Sequence, residues 1–275
     1  MDILNRIIEN KKKEVARRKL TRPFESLQQD ITGQRHPLSM TEALSQPGSS
    51  GIIAEYKTKS PSTGVLNRGS DVGIVTKQYV EAGAAALSVL TDHVFFGGSF
   101  ADLGKAREVN SCPVLQKDFF IDEYQVTEAY LKGADVILLI AAALDAGRLA
   151  ELARAAKRYG MEVIMEIHSR KELEMVTGDI DIIGVNNRNL STFRTDIENS
   201  LALAEYIPAG VLKISESGID SASKIMTLKD AGFSGFLIGG YFMSSGDPGG
   251  ACRELTEQLG SMQKQKRTQA DESEH

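Results

Sequence analysis

The sequence predicts a single (β/α)8 barrel, and three observations carry that prediction. Eight short β-branched or apolar runs recur from Gly51 onward, helical segments lie between them, and no glycine-rich nucleotide turn follows the first run. Strand alternating with helix argues for parallel βαβ units. Eight such units in roughly 200 residues fit either an open doubly wound sheet or a closed barrel. The missing nucleotide turn and the even repeat favour the barrel.

In chain order the runs are GIIAEYK, AALSVLT, PVLQKD, ADVILLIA, MEVIMEI, DIIGVNN, VLKISES and GFLIGG. Between them DVGIVTKQYVEAG, DEYQVTEAYLKGA, DAGRLAELARAAKRYG and SASKIMTLKDAG have helical spacing, and each opens on Asp or Ser and closes at or beside Gly, as capped helices do. The segments after Glu166 and Asn186, SRKELEMVTG and TDIENSLALAEYIP, have weaker apolar stripes and loosely defined helix boundaries. Residues 1–50 read as a helical extension packed on the barrel, with Ile3, Ile7 and Ile8 on one face of a first helix and a Pro-punctuated linker after it. Residues 51–260 read as the catalytic barrel. The run 261–275 is too polar to bury anything and reads as a frayed or disordered tail.

Composition sets outer bounds. The chain has 275 residues, 41% hydrophobic and 25% charged, an ordinary composition for a folded soluble chain with a sizeable core. A net charge of −5 and a pI near 5.5 give no global basic field for nucleic acid or an anionic membrane. Only Cys112 and Cys252 occur, so neither a disulfide framework nor a metal-ligand spacing is present, and a reducing cytoplasm is the expected setting. The N-terminus lacks the apolar run of a signal peptide, and ADVILLIAAALDA is too short to span a bilayer.

The carboxyl ends of barrel strands are where active sites are built. In the first run, residues two apart share a face, so Ile53, Glu55 and Lys57 point the same way. Lys117 ends the third run, Glu166 the fifth, Asn186 the sixth with Arg188 just beyond, and Glu216 and Ser217 the seventh. A solvated strand terminus explains any one of them. Taken together, several strands exchange an apolar pattern for Lys, Glu or Asn at the same end, and such a mixed cluster lets environment push pKa values apart, so that one Lys serves as acid and one Glu as base. Gly218, Gly239 and Gly240 sit at the ends of the last two strands, before helical segments, where backbone N–H groups and helix N-termini suit a phosphate. Ser60 in the first loop adds a hydroxyl donor. His168, two residues past Glu166, reads as a loop histidine without function.

These residues resemble a known family. IAEYKTKSPSTG, LSVLTDHVFFGGSFADL, PVLQKDFFIDEYQVTEAYLKGADVILLIAA, MEVIMEIHSRKELE, IGVNNRNLSTF, SESGI and LIGGYFMSSGDPG together look like indole-3-glycerol phosphate synthase, in the expected order from the first helix to about Leu259. The resemblance implies a cofactor-free barrel that closes the ring of 1-(2-carboxyphenylamino)-1-deoxyribulose 5-phosphate, giving indole-3-glycerol phosphate, carbon dioxide and water. It implies Lys117 as general acid, Glu166 as base, Lys57 on the substrate carboxylate and as a second acid, Glu55 holding Lys57, and Asn186 orienting the intermediate, with Ser217 also counted in the catalytic set. The phosphate grip falls to Ser60, Gly218, Gly239 and Gly240, with Lys59 as charge partner. Phe96 and Phe119 form the aromatic wall with Leu138 beneath, while Arg188 and Glu216 support the site. A sugar-phosphate ligand, no metal and a monomeric state are implied as well. Two alternatives stay open: a phosphoribosylanthranilate isomerase-like barrel, which would place a Cys on the first strand, and a non-catalytic sugar-phosphate-binding barrel.

Overall fold

The computed structural model describes residues 3–33, 35–67, 69–189 and 194–273. Within them eight parallel strands close into a barrel: β1 (Ile52–Tyr56), β2 (Ala86–Leu90), β3 (Val114–Lys117), β4 (Val136–Ile140), β5 (Glu162–Ile167), β6 (Ile182–Asn186), β7 (Leu212–Glu216) and β8 (Gly235–Ile238). Closure is made by β1, which pairs with β2 on one side and β8 on the other. All eight sequence runs are barrel strands. Because every pairing is parallel, all strand C-termini open at one mouth; the register sets Asn186 beside Glu216, Ile140 beside Glu166 and Leu90 beside Lys117.

Strand alternation divides the core. Ile53, Leu115, Leu138, Ile164, Ile182, Ile214 and Leu237 point inward and fill the barrel. Ile52, Ala54, Tyr56, Leu87 and Val89 point outward against the helices. Burial on both faces is why these strands read as continuous apolar runs.

Three helices precede the barrel, α1 (Ile3–Thr21), α2 (Phe24–Gln29) and α3 (Met40–Ser45). The expected linker is therefore two further helices with short connections. α3 plugs the barrel floor: Met40 and Leu44 join the inner cluster. Its first turn sits on Glu162, whose carboxylate accepts from Ser39 Oγ at 2.6 Å, Met40 N at 2.8 Å, Thr41 N at 2.9 Å and Thr41 Oγ1 at 2.6 Å. A carboxylate satisfied this way matches the orphan N–H groups and positive end of a helix N-terminus.

The outer layer is α4 (Val72–Glu81), α5 (His93–Phe96), α6 (Phe100–Val109), α7 (Glu123–Leu131), α8 (Ala146–Arg158), α9 (Glu198–Leu203), α10 (Ala222–Asp230), α11 (Gly240–Met243) and α12 (Pro248–Ser273). The caps expected from sequence are in place: Asp71, Asp122, Asp145 and Ser221 each accept a backbone N–H of the first turn of α4, α7, α8 and α10. Two of the expected closing glycines, Gly83 and Gly133, carry φ of 92° and 93°, values a side chain would strain. Between β5 and β6 the connection is a 3-10 helix, Arg170–Met175, in keeping with its weak stripe. α12 continues through Ser273, which differs from the frayed tail expected from residue 261. Gln, Lys, Arg, Ala and Glu are good helix formers, so polarity by itself does not prevent a helix there. Lys266 pairs with Asp230 of α10.

α1 carries an element the composition does not suggest. Its fully buried line is Ile7, Lys11 and Val15, while Ile3 and Ile8 are half-buried. Lys11 is 0% exposed, with Nζ 2.8 Å from Asp118 Oδ1, 3.0 Å from Asp92 Oδ2 and 3.0 Å from Glu14 Oε2. Burial alone would pull the ammonium pKa down, but Asp118 and Asp92 outweigh it and hold it above its ordinary value. Removing the cation leaves two buried carboxylates facing each other, so Lys11→Met is expected to cost about 3–5 kcal/mol. Urea unfolding checks it; an unchanged midpoint would show that α1 is held by its apolar contacts alone.

Candidate active site

The inward faces that carry apolar side chains inside the barrel carry charge at its mouth. Lys117, last on β3, reaches across to two carboxylates, 2.9 Å from Glu166 Oε2 on β5 and 2.5 Å from Glu216 Oε2 on β7. Glu55, two residues above Ile53 on β1, holds Lys57 at 2.6 Å and faces Ser88 Oγ of β2 at 3.4 Å. Asn186, at the end of β6, accepts from the backbone N–H of Arg188 at 2.9 Å, and Arg188 Nη1 donates to Ser62 Oγ of the first loop at 3.0 Å. Ser217 turns the chain at the end of β7 with φ of 70°, the one non-glycine among the described residues in left-handed backbone, and Gly218 follows at 75°. Such a conformation is held by its surroundings and is typical of functional turns.

Burial works against the Lys117 ammonium, yet Glu166 and Glu216 overcome it and keep the pKa above the usual lysine value. Two carboxylates on one buried lysine are not equivalent. Burial opposes ionisation of Glu166, but Lys117, His168 and Asn186 draw its pKa below the usual carboxylate value. Burial pushes Glu216 up to about 7, with Lys117 acting against the shift and the charge of Glu166 adding to it. The three groups thus form a cluster able to hold a proton near neutrality.

One cavity gathers most of the residues the sequence singles out. Glu55, Lys57, Ser60, Phe96, Lys117, Phe119, Leu138, Glu166, Asn186, Arg188, Glu216 and Ser217 all line it. Phe96 and Phe119 stand with ring centroids 5.9 Å apart. Lys59, Gly218, Gly239 and Gly240 lie outside this lining; Lys59 Nζ, on the short hairpin formed by 59–60 and 64–65, donates to the Val94 carbonyl at 3.0 Å. Gly240 begins α11 and Gly239 precedes it. The part of the IGVNNRNLSTF motif at 190–193 falls outside the described residues.

The cavity also holds residues that sequence reasoning missed. Ile3, Leu4 and Ile7 bring the tip of α1 into its wall, and His168, read from sequence as a loop histidine, also lines it. Two glycines shape it through what they lack. A Cβ on Gly184 would stand 2.4 Å from Glu216 Oε1, and one on Gly239 would stand 2.4 Å from Glu55 Oε1. Bare backbone at these points makes room for the two carboxylates. Among the described residues no group of three His, Cys, Asp or Glu could hold a metal ion, and no helix is long and apolar enough to cross a membrane.

A family model described as indole-3-glycerol phosphate synthase matches residues 4–255. This chain belongs to the indole-3-glycerol phosphate synthase family. The synthase of Bacteroides thetaiotaomicron is 47% identical over 248 residues, spanning 90% of this chain and 95% of its own. That of Koribacter versatilis is 44% identical, spanning 92% and 98%. Among solved structures, 3-hexulose-6-phosphate synthase from Salmonella typhimurium superposes with a TM-score of 0.60 at 13% identity, covering 77% of this chain and 99% of its own, a likeness of fold. Indole-3-glycerol phosphate synthases are carboxy-lyases of tryptophan biosynthesis, and the function is that of the family. The match begins within α1, so the family model covers the helix that closes one wall of the cavity.

Gly184 supplies a test of the geometry. Gly184→Ala is expected to lower kcat by about tenfold or more by displacing Glu216 from Lys117, since misplacement near 1 Å costs on the order of a hundredfold. Steady-state kinetics and a thermal melt check this together; full activity in a folded variant would mean that the Glu216 position is not needed.

Proposed function

We propose that the cavity residues divide the synthase reaction in the following way. The substrate is 1-(2-carboxyphenylamino)-1-deoxyribulose 5-phosphate. Its aromatic ring lies against Phe96 and Phe119 above Leu138, and its phosphate takes Ser60, the backbone N–H groups of Gly218, Gly239 and Gly240, and the charge of Lys59. Lys57, held by Glu55, binds the carboxylate. As the ring carbon that bears the carboxylate attacks the ketone, Lys117 donates a proton to the ketone oxygen. The electrons of the departing carbon dioxide then restore the carbon framework toward aromaticity. Loss of the hydroxyl as water needs a base and an acid on different sides of the substrate; Glu166 is the base and Lys57 the second acid, with Asn186 orienting the intermediate. Arg188, Glu216 and Ser217 hold the others in place.

The observation that carries this reading is the Lys117 ammonium between two carboxylates of unlike proton affinity, deep in an aromatic-walled cavity. Proton donor and proton acceptor both line the cavity, so each can come within hydrogen-bond reach of a substrate held there. We place the enzyme in the cytoplasm as a monomer acting on a small sugar phosphate without nucleic acid. The acidic balance of −5 supports the last point.

Indole fluorescence with the carboxyphenylamino substrate is the direct assay. Lys117→Met is expected to lower kcat by about a thousandfold or more, with substrate affinity held within a few-fold. Unchanged turnover would remove Lys117 from the chemistry. Glu166→Gln is expected to lower kcat by about a thousandfold, leaving a small measurable rate, and turnover near the parental level would transfer the base role elsewhere.

A further inference from the structure

His168 is a polar group of the cavity that the chemistry above leaves without a task. It lies just past β5, two residues beyond Glu166 and on the same face. Its main chain is pinned on both sides: the N–H donates to Glu172 Oε2 at 2.6 Å, and the carbonyl accepts from Asn199 Nδ2 at 3.4 Å. The ring is not pinned. Its side chain is 13% exposed, and neither Nδ1 nor Nε2 has a hydrogen-bond partner among the described residues. Buried polar groups are nearly always paired, so two unused ring nitrogens in a cavity wall represent capacity held for another state of the site.

The geometry identifies that state. Nε2 stands 3.6 Å from Glu166 Oε1, too far for a hydrogen bond and within a small ring rotation of one. The other oxygen, Oε2, is held by Lys117. Lys117 also holds Glu216, so on turning toward a substrate oxygen it must loosen a carboxylate. Glu166 then loses its strongest donor at the moment its direction matters. The other cations of the cavity are placed otherwise, Lys57 held by Glu55 and Arg188 bonded to Ser62, which leaves the Asn186 side chain and the His168 ring beside Glu166.

We propose that His168 is a positioning residue, whose ring N–H takes over the orientation of the Glu166 carboxylate when Lys117 turns from Glu166 to the substrate. The proposal rests on the reading of Glu166 as the base. The ring acts through Glu166 and touches no reacting atom.

The test is a cycle of variants assayed by indole fluorescence, with a thermal melt on each. His168→Ala is expected to lower kcat by about 10- to 100-fold while KM stays within about twofold. His168→Gln, whose amide nitrogen can stand near the place of Nε2, is expected to recover most of the loss. In a Glu166→Gln background, where the carboxylate is already gone, adding His168→Ala is expected to change the residual rate by less than about twofold. Parental kcat in folded His168→Ala would overturn the proposal. An equal loss in the Glu166→Gln background would overturn it too, because the ring would then act independently of Glu166. A rise in KM at constant kcat would reassign the ring to substrate binding. Failure of the underlying reading is seen separately: Glu166→Gln alone would then retain turnover.

Discussion

The site is organised by a buried ammonium that must be neutralised twice over. Lys117 ends a strand whose inward neighbours are apolar, and an isolated charge there would carry a desolvation cost far beyond what a marginally stable protein tolerates. Glu166 and Glu216 provide the compensation from two other strands, at 2.9 and 2.5 Å. Their own placement then constrains the backbone around them. Glu216 extends into the space over Gly184 of the adjoining strand, and Glu55 into the space over Gly239, positions where a Cβ would collide with the carboxylate. A closed barrel suits such a cluster, because it converges strand ends from all sides onto one point and leaves no edge at which the charges could escape to water.

A second buried lysine ties the leading helix to the same place. Lys11 binds Asp118, the residue immediately after Lys117, and Asp118 also accepts from Thr91 Oγ1 at 2.5 Å and from the Phe119 N–H at 2.7 Å. Consecutive residues at the end of β3 therefore belong to two ion clusters, Lys117 to the one with Glu166 and Glu216 and Asp118 to the one around Lys11. The loop that carries Phe119 into the cavity is fixed by the second. This explains why α1 is more than a cover: the same helix that supplies Ile3, Leu4 and Ile7 to the wall is anchored at the root of the loop that forms the opposite part of it.

The barrel strands were legible because burial on both faces turns each into an apolar run, and the mouth was legible because Lys, Glu and Asn interrupt those runs at one end. What stayed hidden depends on contacts between distant segments. Lys11 sits in a row of three lysines, and only its spacing of four from Ile7 and from Val15 marks it as inward. Gly184 looks like a weak point in a strand until Glu216 of the neighbouring strand is in view. His168 follows a strand end in a polar stretch, and nothing local separates an idle loop histidine from one whose ring returns to the cavity. The helix through Ser273 was not legible for a different reason, since composition measures what a segment can bury and says little about whether its backbone coils.

The unequal carboxylates give the cluster its direction. Were Glu166 and Glu216 alike, Lys117 would be shared symmetrically and no oxygen would be favoured as an acceptor. Instead Glu216 is pushed up to about 7 by burial, and Glu166 is drawn down by Lys117, His168 and Asn186. Burial thus favours the protonated form of Glu216, while Lys117 favours the ionised form of Glu166. In the proposed mechanism an ionised Glu166 is the form that accepts a proton from an intermediate. Because burial favours the neutral form of Glu216, the negative charge around Lys117 is moderated, which in the proposed mechanism leaves the lysine able to turn toward substrate. The same asymmetry makes the environment of Glu166 the sensitive part of the site in the proposed mechanism, because Asn186 and His168, which act on its carboxylate beside Lys117, set the direction from which it accepts a proton.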